Sequence, residues 1–124
     1  MFEGRYGQYW SRDNILFVVY KPELVISLKV AKQVVRDRLE FQQNLEYPVC
    51  CDLSGVTDSS LDARHYMVQE GTLLIKALAF YTTSPVAGRL TEFYLKTLSH
   101  KVPTEFFTKK SQAINFLKPY IDMK

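Results

Sequence analysis

The sequence predicts a single α/β domain, residues 1–124, built on a single-layer mixed, mostly parallel five-stranded sheet with four helices in the order β-β-α-β-α-β-α-β-α. Three observations carry that expectation. The runs Ile15 to Tyr20 (ILFVVY), Pro48 to Asp52 and Leu74 to Tyr81 (LIKALAFY) are continuously apolar and β-rich, as strands covered on both faces are. Between them lie segments whose apolar residues recur at helical spacing. Strands alternating with helices imply right-handed crossovers and parallel pairing.

The first two strands, Arg5 to Trp10 and Ile15 to Tyr20, flank the polar, turn-prone Ser11-Arg-Asp-Asn14, which predicts a hairpin and one antiparallel neighbour. The first arm mixes polar and aromatic residues and carries Gly7, so it belongs at an edge. Lys21-Pro22 ends the second arm. Ser27 then caps a helix from about Leu28 to Gln43, with Leu28, Ala31, Val35, Leu39 and the stem of Gln42 toward the sheet. Val30, Val34 and Phe41 make a second stripe, either a wider packed face or a partner surface. Arg36, Asp37, Arg38 and Glu40 fall on the far side, and Asn44 is the expected stop.

The strand YPVCCD is followed by a loop, Leu53 to Asp58, and Ser59 or Ser60 caps a helix from about Leu61 to Gly71. Asp62 in its first turn suits the positive end of the helix dipole, while Ala63, Met67 and Val68 face inward. Leu74 to Tyr81 is the third core strand. Ser84-Pro85 starts a third helix, to about Leu98, presenting Val86, Leu90, Phe93, Tyr94 and Leu98. Pro103 marks Thr104 to Phe107 as an edge strand. Thr108 caps the last helix, where Ala113, Phe116, Leu117 and Tyr120 follow the apolar rule.

Composition bounds the function. With 124 residues, 47% of them hydrophobic and 23% charged, the chain suits one ordinary globular core and no second. The net charge of +3 divides into −2 over residues 1–62 and +5 over residues 63–124. That basic half suits an acidic partner or a solvated face, and falls short of the dense stripe of a nucleic-acid binder. Cys50 and Cys51 are adjacent, so a strand points them to opposite faces and they cannot easily pair. Two thiols without a disulfide scaffold fit a reducing compartment, and the N-terminus lacks a signal-peptide layout. No apolar run approaches the roughly 18 residues of a membrane span. A cytoplasmic protein is expected.

The element order together with CDLSGVTDSSL resembles the STAS family, the fold of bacterial anti-sigma factor antagonists and of the cytosolic domains of sulfate transporters. Asp52-Leu53-Ser54-Gly55-Val56-Thr57 matches the antagonists' Asp-Leu-Ser-Gly-Val strand end, and Asp58-Ser59-Ser60 matches their Asp-Ser-Ser-Gly helix start across a shorter connection. The family's glycine is replaced by Leu61, which would crowd a kinase approaching the hydroxyl. The resemblance implies that Ser60, the second serine of the pair, is the phosphorylated one, with a kinase or anti-sigma-like protein as partner. Over nearly its whole length the chain also looks like stand-alone bacterial proteins of the wider STAS/SEC14-like superfamily, through GRYGQYW, VVRDRLEFQ, YPVCCD, SPVAGRL and KVPTEFFT.

The candidate sites follow. Ser60 and Ser59 are candidates for phosphorylation or plain helix caps; a phosphate there is favoured by the helix dipole and opposed by Asp58 and Asp62. Asp52, Ser54, Gly55, Asp58 and Asp62 form a candidate docking loop. Cys50, Cys51 and His65 invite a nucleophile–base reading, against which the cysteines sit within an apolar strand. His65 and His100 have no familiar metal spacing to a cysteine, and the five glycines are too dispersed for a phosphate loop. Phe93, Tyr94, Phe106 and Phe107 either fill the core, line an apolar groove or make a homodimer contact. The sum is a non-enzymatic interaction or regulatory domain without cofactor, docking to a protein partner or to itself. The alternative is a small binder of lipid or another apolar ligand, as the SEC14-like relatives imply.

Overall fold

The computed structural model of the chain describes residues 1–83, 96 and 101–122. Among them the order is β1 (Phe2–Glu3), β2 (Gly7–Arg12), β3 (Ile15–Tyr20), β4 (Leu24–Ile26), α1 (Leu28–Gln42), β5 (Tyr47–Asp52), β6 (Val56–Ser59), α2 (Leu61–Gln69), β7 (Ile75–Tyr81), β8 (Thr104–Phe107) and α3 (Lys110–Leu117). A 3-10 turn, Lys118–Tyr120, follows α3. One sheet runs β1-β2-β3-β5-β7-β8, and β4 and β6 pair separately. The β1–β2 and β2–β3 pairs are antiparallel, while β3–β5, β5–β7, β7–β8 and β4–β6 are parallel. The mixed, mostly parallel α/β class is the one the strand–helix alternation predicts.

The sheet is buried on both faces, and the alternation of each strand decides which side chain serves which face. Leu16, Val18 and Tyr20 of β3, Val49 and Cys51 of β5, and Leu78 and Phe80 of β7 join Val30, Ala31 and Val34 of α1 and Ala63 of α2 in one cluster. Ile15 and Phe17, Cys50, and Ala77 and Ala79 join Ala113 and Leu117 of α3 in the other. Ala77, Ala79 and Ala113 are fully buried, and their small side chains let α3 approach the sheet closely. Each large aliphatic buried this way contributes about 1.5–3 kcal/mol.

Local chemistry sets the boundaries. Asp13 and Asn14 both take positive φ, 52° and 64°, the backbone that a two-residue turn needs between twisted antiparallel strands. The α1 helix is capped by Ser27, whose hydroxyl accepts the Val30 N–H at 3.3 Å, and it ends where Gln43 and Asn44 turn left-handed. β7 starts at Ile75 rather than Leu74 because Leu74 has φ 62°. Its carbonyl accepts the Tyr47 N–H at 3.2 Å and the Gln42 amide at 2.9 Å. Lys76, the one charge in that strand, extends to the Ile121 carbonyl at 3.2 Å.

Several expectations need correction. Among the described residues the sheet has six strands rather than five, and helices cover both of its faces; the small β4–β6 pair occupies part of what the sequence leaves as loop. Asp37 and Arg38 do not face solvent: they are 6% and 5% exposed. Val30 and Val34 are buried and Phe41 packs against them, so the second stripe of α1 widens the packed face. Thr108 does not cap the last helix; Lys109 holds that position without a side-chain bond. The predicted helix from Ser84 to Leu98, with Phe93 and Tyr94, lies outside the described residues apart from Lys96, which is helical and exposed, and His100 lies outside them too.

Candidate functional site

The junction from β5 to α2 is built by hydrogen bonds that begin at Asp52. Its carboxylate accepts the Ser54 N–H at 2.8 Å, folding the chain into a tight turn directly after the strand. The Tyr81 hydroxyl is hydrogen-bonded to the same carboxylate, and burial together with the negative charge of Asp52 pushes its ionisation upward. Leu53 is 1% exposed, and its N–H donates to the Tyr81 carbonyl at 3.0 Å. The Ser54 hydroxyl accepts the Thr83 N–H at 3.3 Å, tying the loop to the end of β7.

Gly55 is required by a close approach of two backbones. A Cβ there would lie 2.4 Å from the Lys21 carbonyl oxygen and 2.8 Å from that of Tyr20. The gap is bridged by the Leu24 N–H, which donates to the Gly55 carbonyl at 2.8 Å and starts the β4–β6 pair. Thr57 donates its hydroxyl to the Leu24 carbonyl at 3.2 Å, and the Ser60 N–H donates to the Ile26 carbonyl at 3.0 Å. The loop is therefore held along its length rather than hung between two elements.

Ser60 is the cap of α2. Its hydroxyl accepts the Ala63 N–H at 3.3 Å and donates to the Asp62 carboxylate, which also takes the Ala63 N–H at 2.9 Å. The Ser60 hydroxyl and the Ala63 amide hold Asp62 below the usual carboxylate range. Asp58 accepts the Ser59 N–H at 2.8 Å. Ser59 has different company: the Arg64 guanidinium donates to its carbonyl at 3.1 Å and to its hydroxyl at 3.3 Å. Two large apolar side chains border these groups on the outside, Val25 on β4, 55% exposed, and Leu61 at the first position of α2, 57% exposed.

Behind the site, Arg38 fixes α2 against α1. Its guanidinium donates to the carbonyls of Gly71 and Leu73, both at 3.0 Å, and to the side-chain oxygen of Gln42. Gln42 in turn donates to the Leu45 and Leu74 carbonyls, each at 2.9 Å. Burial pulls the Arg38 pKa down from its ordinary value. Sequence reasoning turns the stem of Gln42 toward the sheet but leaves Arg38 on the far side, although Ala31, Val34, Val35, Arg38 and Gln42 all fall on one helical line. A cavity of about 40 Å3 between the helices and the sheet is lined by Arg38, Met67, Cys51 and Phe80 among others. That is space for about one water, not for a lipid chain.

The thiol and ring candidates separate. Cys50 and Cys51 are both free and buried, and they belong to clusters on opposite faces of the sheet. Burial pushes Cys50 up to about 12 and Cys51 well above its ordinary value, so both stay protonated and poorly nucleophilic. His65 lies on the exposed side of α2. Among the described residues no group of three His, Cys, Asp or Glu could hold a metal ion, and no helix is long and apolar enough to cross a membrane. Phe106 and Phe107 do not line one groove, because neighbours on a strand face opposite ways. Phe106 stacks on Phe80 at 4.7 Å between centroids, and Phe107 meets Phe116 of α3 at 5.8 Å on the other side.

A comparison with curated proteins yields no match. Among solved structures, the chain is similar to an uncharacterised protein of the DUF3478 family from Shewanella loihica PV-4, described as having a SpoIIAA-like fold. The two share 14% identity at a TM-score of 0.62, over 94% of this chain and 98% of that one. The fold is therefore SpoIIAA-like, the STAS type that CDLSGVTDSSL and the element order imply. A family model for a domain of unknown function, DUF7793, matches residues 9–121, and the chain belongs to that family.

Proposed function

We propose that this STAS-like domain is a non-enzymatic regulatory module of the cytoplasm that binds another protein through β4, β6 and the first turn of α2. The observation that carries the reading is the outward placement of Val25 and Leu61 on a hydrogen-bonded frame beside Asp58 and Asp62. Apolar side chains carried on a hydrogen-bonded frame cost little entropy to bury, and the flanking carboxylates select a partner with basic groups around its pocket. Leu61, the departure from the antagonists' glycine, serves here as the apolar anchor.

A serine switch fits the same surface, and its chemistry favours Ser59 over Ser60. A phosphate on Ser60 would displace the α2 cap and meet the Asp62 carboxylate, whereas one on Ser59 would lie beside the Arg64 guanidinium. Pull-down from the source cell with the wild type and with Leu61→Asp tests the docking surface. A partner held by this surface binds the variant at least ~30-fold more weakly, the loss of one hot-spot residue. Capture of the same partners by a variant with an unchanged circular-dichroism spectrum would overturn the proposal. Mass spectrometry addresses the switch separately: Ser59 and Ser60 unmodified under all growth conditions refutes it and leaves the docking surface standing.

A further inference from the structure

The opposite face of the sheet carries a feature that the docking reading does not use. Between the β2–β3 hairpin and α3 lies a crevice of about 240 Å3. Trp10 and Phe17, cross-strand partners, stack with centroids 5.5 Å apart and planes within 14°. Lys110, at the first position of α3, holds its ammonium 5.0 Å from the Phe17 centroid and 5.7 Å from that of Trp10. One and two turns further on, Ile114 and Lys118 continue the same wall, and Arg12 closes the hairpin side.

Among the described residues three cations thus rim an apolar floor, with Asp13 as the one carboxylate in the lining. Among the described residues none of Arg12, Lys110 and Lys118 forms an ion pair with a carboxylate. Cations gathered around a concave apolar surface repel one another and raise the local concentration of anions. The rings position the Lys110 ammonium over the crevice rather than leaving it free to swing into solvent. The volume lies below the roughly 300–1,000 Å3 of pockets that take drug-sized ligands, so a fitting occupant is compact.

We propose that this crevice binds a compact organic anion, a carboxylate or sulfonate on an aromatic or short aliphatic body. Lys110, Lys118 and Arg12 receive the charged group, and the body rests on Ile114 and the edge of the Trp10 ring. Trp10 is the one tryptophan of the chain, so its emission reports on this site alone. The test titrates phenylacetate and its neutral counterpart phenylacetamide against the protein, following Trp10 fluorescence and the ligand's saturation-transfer NMR signal. Phenylacetate should bind saturably and at least tenfold more tightly than the amide. Lys110→Met combined with Lys118→Met, both at exposed positions, should weaken the acid about tenfold and leave the amide unchanged. Absence of saturable binding by both readouts overturns the proposal, and so does equal affinity for acid and amide. Undiminished binding of the acid by the double variant, shown to be folded by its circular dichroism, overturns it as well.

Discussion

Arg38→Met tests whether the buried guanidinium holds the α1–α2 face together. Methionine replaces most of the stem volume, so the cavity contribution is small and the change is mainly electrostatic. Three acceptors lose their donor: the Gly71 and Leu73 carbonyls and the Gln42 side-chain oxygen. Each buried acceptor left unsatisfied costs about 1–3 kcal/mol. Two effects work the other way. Removing the arginine relieves its own desolvation, the burial that pulls its pKa down. The 40 Å3 cavity beside it also admits about one water, which can serve one carbonyl. The expected net loss is about 2–4 kcal/mol. In urea denaturation with m near 2 kcal/mol/M, the midpoint falls by about 1–2 M with m unchanged. Hydrogen exchange should localise the effect, with residues 61–69 opening more readily than β3. A midpoint within 0.2 M of wild type, or an increase, would refute the assignment of Arg38 as the clamp.

Gly55→Ala places a methyl 2.4 Å from a backbone oxygen that cannot rotate away, so the 53–56 turn must shift from the Lys21 strand end. The expected cost is about 1–3 kcal/mol, seen as a drop of about 5–10 °C in Tm; a melt within 1 °C of wild type contradicts the close approach. Stability should also fall in alkali. Cys50 and Cys51 have folded pKa values above their unfolded ones, so the stability they contribute is full below about pH 9 and is lost as pH rises toward the folded values. Between pH 9 and 10.5 each thiol steepens the decline by up to about 1.4 kcal/mol per pH unit, and Cys50→Ala removes one share of that slope. Urea titrations at successive pH values give the slope, and a flat profile to pH 10.5 would exclude the two buried thiols as its source.

What the sequence discloses depends on segment length and on whether a residue's type agrees with its position. ILFVVY and LIKALAFY are long enough, and apolar enough, that only a doubly covered strand accounts for them. Leu24–Ile26 and Val56–Ser59 are three and four residues long, the second mostly polar, and no periodicity can be read over such spans. They form because Gly55 brings two distant segments together, a tertiary cause. Arg38 fails for the opposite reason. Its spacing places it inside, but its charge argues for solvent until the carbonyls of residues 71 and 73 are known to face it. The aromatic pair on β8 shows period 2 overriding composition: two adjacent rings look like one surface and serve two. The loop motif was legible as a motif, yet the sequence did not say which of its residues face outward.

That last distinction follows from where each polar group spends its hydrogen bonds. Asp52 is committed to the Ser54 amide and the Tyr81 hydroxyl, Ser54 to the Thr83 amide, and Gly55 to its packing against the Lys21 carbonyl. A group so committed cannot serve a partner without first breaking the frame that positions it. Asp58 and Asp62 are exposed, and the bonds they make are short-range ones within the first turn and its approach, leaving carboxylate edges toward solvent. Of the five loop candidates, three therefore build the frame and two stand on its exposed side, together with Val25, which no motif marks, and Leu61, where the chain departs from the motif's glycine. β3 connects this platform to the far side of the molecule. The carbonyls at its C-terminal end, Tyr20 and the following Lys21, meet Gly55, while Ile15 and Phe17 at its beginning line the cationic crevice on the opposite face. The strand most buried in the sheet is thus the element that sets both surfaces, and it does so by packing alone.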